Sequence, residues 1–136
     1  MNTAPSDATY VDANALQAWL HNLFSAVPIP DEHAALIAEL MVDTDLRGVT
    51  SHGVLQVERY VRGWQEGNTN KTPQIEVLQE GPATAALHGD GGLGYIVAHR
   101  AMEMAIERAE TTGVGVVTTT YHDHIGSAGK YVRMAL

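Results

Sequence analysis

The spacing of apolar side chains changes once along this chain, and the change limits the folds it can adopt. Up to about residue 67, apolar residues recur every three or four positions, which predicts amphipathic helices. After a polar loop, short apolar runs at 75–78, 84–88 and 114–120 predict strands, and an Ala- and Met-rich stretch at about 95–111 predicts a helix. The sequence therefore predicts a mixed α/β (α+β) fold in which helices come before the start of an α/β domain.

Three helices are predicted before the loop. The first begins at Asp12 and ends at Pro28, because proline cannot continue a helix. Asp31 and Ser51 are the expected N-caps of the second and third helices, and Gly67 ends the third. The predicted buried stripes of the three helices contain Leu16, Trp19, Leu20, Leu23, Phe24 and Val27; Leu36, Ile37, Leu40 and Met41; and Val54, Val57, Tyr60, Val61 and Trp64.

Three segments follow from these patterns. Residues 1–9 are expected to form a loose tail, 10–72 a helical segment, and 73–136 an incomplete α/β domain. A last helix is predicted to begin near Ser127 and to be still running at Leu136, with no cap after it. We therefore expect this chain to be the N-terminal fragment of a longer protein.

Composition excludes several classes of protein. Lysine and arginine number 8 against 16 aspartates and glutamates, so the net charge of −8 disfavours nucleic acid and anionic membranes. The chain has no cysteine, which excludes disulfides, thiol nucleophiles and cysteine-based zinc sites. It also lacks a signal peptide and an apolar run of the ~20 residues that cross a membrane. A soluble cytoplasmic protein is expected.

A glycine-rich loop at 89–94 follows a predicted strand and precedes a predicted helix. Gly89, Gly91 and Gly94 match the G-x-G-x-x-G spacing of dinucleotide-binding loops, where backbone amides approach a pyrophosphate. However, the next strand does not end in the acidic residue such sites use, and three helices come before the loop. A tight structural turn is the favoured interpretation.

The segment Ser51-His52-Gly53 carries the first candidate for acid–base chemistry. On a continuous helix, His52, Gln56 and Arg59 would share one face, with Tyr60 at its edge. Such a face could bind an anionic substrate and move a proton. The residues alone equally allow a simple N-cap at Ser51 and a solvated face.

A second candidate lies after the last predicted strand. His122 and His124 are two residues apart, so both imidazoles could face the same way and bind a metal, but no third ligand has suitable spacing. A strand end before Gly126 is a common place for site residues in α/β folds, which favours His124 as a single polar site residue. The remaining histidines are expected to be half-exposed structural residues: His21, His33, His88 and His99.

Three blocks of sequence resemble the malate/L-lactate dehydrogenase family of NAD(P)-dependent oxidoreductases, which includes ureidoglycolate, 2,3-diketogulonate, sulfolactate and piperideine-2-carboxylate enzymes. The first is Arg47-Gly48-Val49-Thr50-Ser51-His52-Gly53-Val54, followed by Tyr60 and Gly67. The second is Gly89-Asp90-Gly91-Gly92-Leu93-Gly94, and the third is His124-Ile125-Gly126-Ser127-Ala128-Gly129. The resemblance runs from about residue 10 to the end.

The resemblance implies a non-Rossmann dehydrogenase domain that transfers a hydride between NAD or NADP and a 2-hydroxy or 2-oxo acid such as malate or lactate. It implies that residues 73–136 are the incomplete part of this domain that binds cofactor and substrate, and that the fragment alone is inactive. It implies His52 and His124 as catalytic residues and Ser51 as the hydroxyl that orients them. It also implies Tyr60, Gln56 and Arg59 at the substrate, His124 and Gly126 at the cofactor, no metal, and a homodimer in the full-length form.

The chain departs from the family pattern at several positions. Gln56 stands where many members have an arginine that can grip the substrate carboxylate through two parallel bonds. Tyr121-His122-Asp123 stands where asparagine and serine are usual, and Ile125 where phenylalanine is usual. Two alternatives therefore stay open: a ureidoglycolate or cyclic-imine carboxylate substrate, and a catalytically incomplete fragment that at most binds a ligand or partner.

Overall fold

The computed structural model describes residues 6–7 and 9–136, so most of the tail predicted at 1–9 lies outside the described residues. The predicted mixed α/β fold is confirmed. In chain order the elements are α1 (Ala13–Ser25), α2 (Asp31–Leu46), α3 (Val57–Gln65), β1 (Glu76–Glu80), β2 (Thr84–His88), α4 (Gly94–Thr112), β3 (Val116–Thr120) and α5 (Gly129–Val132). Short 3₁₀ turns lie at Thr50–His52, Val54–Gln56 and Arg133–Ala135. The helix predicted from near Ser127 is thus the short α5, followed by a 3₁₀ turn.

The start of α1 agrees with the sequence, and the start of α2 does not. Asp12 caps α1 by accepting a hydrogen bond from the Ala15 amide at 2.9 Å. The N-cap of α2 is Pro30, and Asp31 is already helical. The prediction of an Asp31 cap was wrong because the fixed φ of proline prepares the chain to enter a helix at the next residue. Asp31 instead places its Oδ1 2.9 Å from Nε2 of His21.

The third helix begins six residues later than Ser51, the predicted N-cap. Two 3₁₀ turns precede α3, and Gly53 lies between them in an extended conformation (φ −98°, ψ −136°). This break places His52 outside the helix that carries Arg59, so the predicted shared helical face was wrong. The break is stabilised from α2, because the Val54 amide donates to Asp45 Oδ2 at 2.9 Å.

The sheet has the order β1-β2-β3. β1 and β2 are antiparallel, with an irregularity between Val77 and Gln79, and β2 and β3 are parallel. α4 forms the crossover that a parallel pair requires. The register pairs His88 with Thr120, so both carboxyl ends lie at the same edge.

β3 is less buried than its apolar sequence predicted. The strand starts at Val116, two residues after the predicted Val114, and its side chains alternate between exposed and half-buried. Val116 is 53% exposed. The expectation of a buried strand was wrong because, among the described residues, β3 packs against α4 on one face only.

The main core joins the helices to the beginning of α4. Its largest fully buried side chains come from α1, α2, α3 and α4, and include Phe24, Met41, Trp64, Tyr60 and Tyr95. Trp19 was predicted to be buried, but it is 54% exposed. The buried face of α1 is narrower than the predicted stripe, because Leu20 and Phe24 alone are its buried residues. This core contains residues from before and after residue 72, the predicted boundary between the second and third segments. The division into three segments stays a prediction. No helix in the described part of the chain is long and apolar enough to cross a membrane.

Candidate active site

The glycine-rich loop lies at the carboxyl ends of β2 and β3, but the amides of Gly89, Gly91 and Gly92 are already occupied. The Gly89 amide donates to Thr120 O at 2.8 Å, and the Gly91 amide donates to Tyr121 O at 2.9 Å. The Gly92 amide donates to Gly89 O at 2.9 Å. These bonds leave the three amides unable to cradle a pyrophosphate, which supports the structural-turn interpretation of the loop.

Close packing explains why one of these positions requires glycine. A Cβ atom on Gly94 would lie 2.3 Å from the carbonyl oxygen of Asp123 and 2.8 Å from that of His124. The start of α4 therefore lies directly against the backbone that follows β3. This contact fixes the position of the segment that carries His124.

Tyr60 and His124 form the centre of the site. The Tyr60 hydroxyl lies 2.8 Å from Nδ1 of His124, and Tyr60 is only 1% exposed. Burial raises the pKa of the Tyr60 phenol, so it stays protonated at neutral pH. Burial also lowers the pKa of His124, and the charges of Arg59 and His52 lower it further. A mostly neutral imidazole in contact with a protonated phenol is suited to accept a proton.

His52 lies beside this pair. Its ring centroid is 5.6 Å from that of His124, with the ring planes inclined at 32°. Ser51 Oγ lies 2.8 Å from Nδ1 of His52, and the Gln56 amide donates to the Ser51 carbonyl at 2.8 Å. The structure thus brings the predicted residues His52, Ser51, Tyr60 and His124 together, although by a route different from a shared helix.

The glycine after His52 makes room for a carboxylate from α2. A Cβ atom on Gly53 would lie 2.0 Å from Oδ1 of Asp45, which accepts a hydrogen bond from the Val54 amide through its other oxygen. Burial raises the pKa of Asp45. Any larger residue at position 53 would push this carboxylate away and release the turn that carries His52.

Asp123 holds the segment on the other side of the site, and sequence reasoning gave it no role. Its Oδ1 accepts from the His124 amide at 2.7 Å, and its Oδ2 accepts from Thr69 Oγ1 at 3.0 Å. The exposed Arg59 guanidinium lies 3.4 Å from the same carboxylate. No local pattern could have revealed the contacts with Thr69 and Arg59, because these partners are more than 50 residues away.

An open cleft of about 520 Å³ lies beside the cluster. Its walls combine two guanidinium groups with three carboxylates and carry Gln56, Glu58, Arg59, Arg62, Glu66 and Asp123. Gln56 and Arg59, two of the three predicted substrate-binding residues, therefore line one cleft. The third, Tyr60, and the two histidines His52 and His124 are not among its lining residues. The cleft can hold a small polar molecule. Arg62 is paired with Glu58, and Arg59 lies 3.4 Å from Asp123, so an acid bound there would replace a carboxylate of the protein at one of these arginines.

The remaining predicted positions are occupied by protein contacts. Gly126 has a positive φ of 68°, and a Cβ atom there would lie 2.4 Å from the hydroxyl of Tyr95. His122 places its two ring nitrogens 2.9 Å from Thr119 Oγ1 and 2.8 Å from Asp123 O. Within residues 6–7 and 9–136, no group of three or more His, Asp or Glu side chains could hold a metal. The other four histidines are half-buried, as predicted.

One buried group was missed entirely. Lys130 is 3% exposed, and its Nζ lies 3.2 Å from the centroid of the Tyr95 ring. Among the described residues Nζ has no hydrogen-bond partner. Burial lowers its pKa from 10.5 to about 7. A lysine on a short terminal helix normally indicates a solvated surface, so the sequence gave no signal for this position.

Comparisons with known proteins identify relatives of this arrangement. A family model described as malate/L-lactate dehydrogenase matches residues 11–136. Malate dehydrogenase from Pyrococcus horikoshii is 42% identical over 133 residues, which cover 93% of this chain and 37% of the relative. L-sulfolactate dehydrogenase from Methanocaldococcus jannaschii is 44% identical over 108 residues, covering 79% and 31%. Ureidoglycolate dehydrogenase (NAD(+)) from Escherichia coli is 34% identical over 125 residues, covering 92% and 36%.

Solved structures agree with the sequence comparisons. The malate dehydrogenase structure from Pyrococcus horikoshii superposes with a TM-score of 0.94 at 38% identity, covering 99% of this chain and 39% of that chain. The sulfolactate dehydrogenase structure from Methanocaldococcus jannaschii gives 0.89 at 37% identity, covering 93% and 37%. The chain thus spans less than two-fifths of the length of these relatives.

Proposed function

The chain belongs to the malate/L-lactate dehydrogenase family, and we propose that it supplies the acid–base part of an active site that transfers a hydride between NAD or NADP and a 2-hydroxy or 2-oxo acid such as malate or lactate. The observation that carries this proposal is the contact of buried Tyr60 with His124, beside His52, next to a cleft lined by arginines. The names of the relatives support a hydroxy acid as the substrate class.

The residues fit the substrate end of such a site better than the phosphate end of the cofactor. The amides of Gly89, Gly91 and Gly92 are bound within the protein, so these three do not fit a pyrophosphate. When bound, the nicotinamide group supplies the acceptor or donor of the hydride. We propose that His124 and Gly126 lie at its nicotinamide end, and that its phosphates are held by residues outside this chain. The choice between NAD and NADP stays open.

The proton steps fall to this chain's own side chains. In the direction of oxidation, Nδ1–H of His124 donates to the Tyr60 oxygen, so that Nε2 is free of hydrogen and accepts the proton of the substrate hydroxyl; the Tyr60 oxygen then stabilises the charge of the imidazolium. His52, oriented by the Ser51 hydroxyl, lies on the same side and completes the proton path or contacts the substrate oxygen. In the direction of reduction the same groups return the proton.

The two arginines that line the cleft favour a substrate with a negative charge. Arg59 and Arg62 line the cleft, and the Arg59 contact with Asp123 is long enough, at 3.4 Å, for a bound carboxylate to replace it. Gln56 offers an amide in place of the arginine that many family members have at this position, so Arg59 takes over part of its role. A homodimer remains an expectation from the resemblance, and a cytoplasmic location remains one from the sequence composition.

A chimera gives the direct test. In it, this chain replaces the matching segment of the Pyrococcus horikoshii malate dehydrogenase, and oxidation is assayed with NAD and NADP on malate, lactate, sulfolactate and ureidoglycolate. We expect turnover of at least one of these acids by the chimera and none by the 136-residue chain alone. A folded chimera without turnover, beside an active parent enzyme, would favour the alternative of a catalytically incomplete binding module.

A further inference from the structure

A buried lysine lies behind the proposed acid–base cluster and takes no part in the mechanism above. The side chain of Lys130 is 3% exposed, and within the described part of the chain its Nζ makes no hydrogen bond. The amine lies over the face of Tyr95, 3.2 Å from the ring centroid, and 5.4 Å from the ring centroid of Tyr131. An ammonium group in such a place is stabilised at short range by the electron-rich ring faces.

Tyr95 connects this lysine to the Ser-His-Gly turn. Its hydroxyl donates to the backbone carbonyl of His52 at 3.0 Å, and its ring packs edge-on against Tyr60, with the centroids 5.6 Å apart. Tyr60 in turn contacts His124. A change at Lys130 therefore reaches the His52 turn through Tyr95 and reaches His124 through Tyr95 and Tyr60.

The charges around Lys130 are few and can be named. α2 contributes Asp43, whose carboxylate favours the protonated amine, and the turn after α5 contributes Arg133, which opposes it. Asp43 is itself paired with Arg133 and Arg47. α4 contributes Tyr95, a phenol that burial keeps protonated by raising its pKa. With no carboxylate committed to it, the amine can lose its proton near neutral pH.

The charge of Lys130 also acts on His124. It is one of the positive groups that lower the pKa of His124, together with Arg59 and His52, while Asp123 opposes them. Lys130 therefore has two routes to the cluster, one electrostatic and one through the Tyr95 ring.

We propose that Lys130 is a positioning residue of the acid–base cluster, which acts on His124 through its charge and on the His52 turn through Tyr95. The proposal rests on the proposed function only in calling this cluster an acid–base site. The coupling itself is a property of the chain without substrate or cofactor.

The test is a nuclear magnetic resonance titration of the 136-residue chain. Lys130 and Lys71 are its only lysines, so labelling the lysine Cε carbons gives two signals. We expect one signal to titrate near pH 7 and to disappear in Lys130→Met. In the same variant the titration midpoint of His124 should move upward, because a neighbouring positive charge is lost. Lys71→Met, which removes the same charge from a surface loop, should leave His124 unchanged.

Either half of the result can overturn the proposal. If both lysine signals titrate near pH 10, or if His124 titrates identically in wild type and in folded Lys130→Met, Lys130 is not coupled to the cluster. An equal shift in Lys71→Met would also overturn it, because the effect would then be general. If Lys130→Met does not fold, the wild-type chain still decides: a His124 signal without a second inflection at the midpoint of Lys130 contradicts the coupling. Because no turnover is measured, these outcomes are independent of the dehydrogenase assay.

Discussion

The phenolic oxygen of Tyr60 lies 2.8 Å from Nδ1 of His124, although the two residues are 64 positions apart in the sequence. Tyr60 comes from the helix that follows the Ser-His-Gly turn, and His124 from the segment after β3. Their contact joins two sequence blocks that each looked like a separate candidate site. The contact turns the two blocks into one cluster, in which the ring centroid of His52 lies 5.6 Å from that of His124.

Removing the Tyr60 hydroxyl tests this contact. In the chimera, Tyr60→Phe should lower kcat about 10–100-fold, because a hydrogen bond to a charged group contributes about 1.5–3 kcal/mol. Steady-state kinetics on the preferred hydroxy acid would measure the loss. Tyr10→Phe, at a residue that is 90% exposed, is the matched control and should have no effect. Equal kcat values for both variants would remove Tyr60 from the proton path.

Gln56→Arg tests which side chain meets the substrate carboxylate. The new guanidinium would lie in the cleft that Arg59 already lines, so KM for malate or lactate should fall about tenfold or more. Gln65→Arg adds the same charge at the exposed end of α3 and should leave KM unchanged. An unaltered KM in Gln56→Arg would show that position 56 is not at the site.

Gly53→Ala tests the packing beneath the Ser-His-Gly turn. The added methyl would lie 2.0 Å from Asp45 Oδ1, so this carboxylate or the turn must move. We expect the free energy of unfolding to fall by about 1–3 kcal/mol, the usual cost of overpacking. Thermal or urea unfolding of the 136-residue chain measures it. Gly129→Ala, where the nearest atom is 3.5 Å away, should be neutral or stabilising, and an equally tolerant Gly53→Ala would contradict the account.

Asp43 gives a stability prediction with a defined pH window. Burial alone would raise its pKa, but the hydrogen bonds and charges of Arg47 and Arg133 hold it below the ordinary 3.8. The folded chain therefore binds its proton less readily than the unfolded chain, so the stabilisation is complete above about pH 4 and is lost as the pH falls further. Asp43→Asn should cost about 1 kcal/mol at pH 7 and progressively less below pH 4, because the pair is partly exposed.

Unfolding curves of the wild type and Asp43→Asn at pH 7 and pH 3 would show whether the cost of the substitution falls with the pH. Asp7→Asn, at an exposed residue, is the control and should cost nothing at either pH. A loss in Asp43→Asn that stays constant with pH would show that the ion pairs with Arg47 and Arg133 do not account for its stability.

Local patterns predicted the elements well where one residue type decides the backbone. β2 has the bounds that were predicted, and α4 differs from its predicted bounds by one residue at each end. The end of α4 was predictable because its C-cap, Gly113, takes a left-handed conformation. Ser51 failed as a cap because the competing contact comes from Asp45, six residues earlier and on another helix. A pattern within the turn itself carries no information about that carboxylate.

The site was predictable as a set of residues and not as a geometry. The Ser-His-Gly block and the block at His124 named the right side chains, yet a shared helical face was the wrong reason to join His52 with Arg59. The position of the segment that carries His124 is set instead by the register of β2 with β3 and by the packing of Gly94 against Asp123. Lys130, Asp45 and Asp123 stayed hidden because their roles arise from long-range burial and hydrogen bonding alone.

The central claim is that His124 moves the substrate proton. The most direct measurement is kcat for hydroxy-acid oxidation by the chimera carrying His124→Gln, compared with His33→Gln, which alters a half-buried histidine on α2. The account predicts a loss of about 10²–10⁴-fold for His124→Gln, the usual contribution of a positioned acid or base, with His33→Gln unaffected. A folded His124→Gln chimera that keeps the kcat of the unmutated chimera would contradict it.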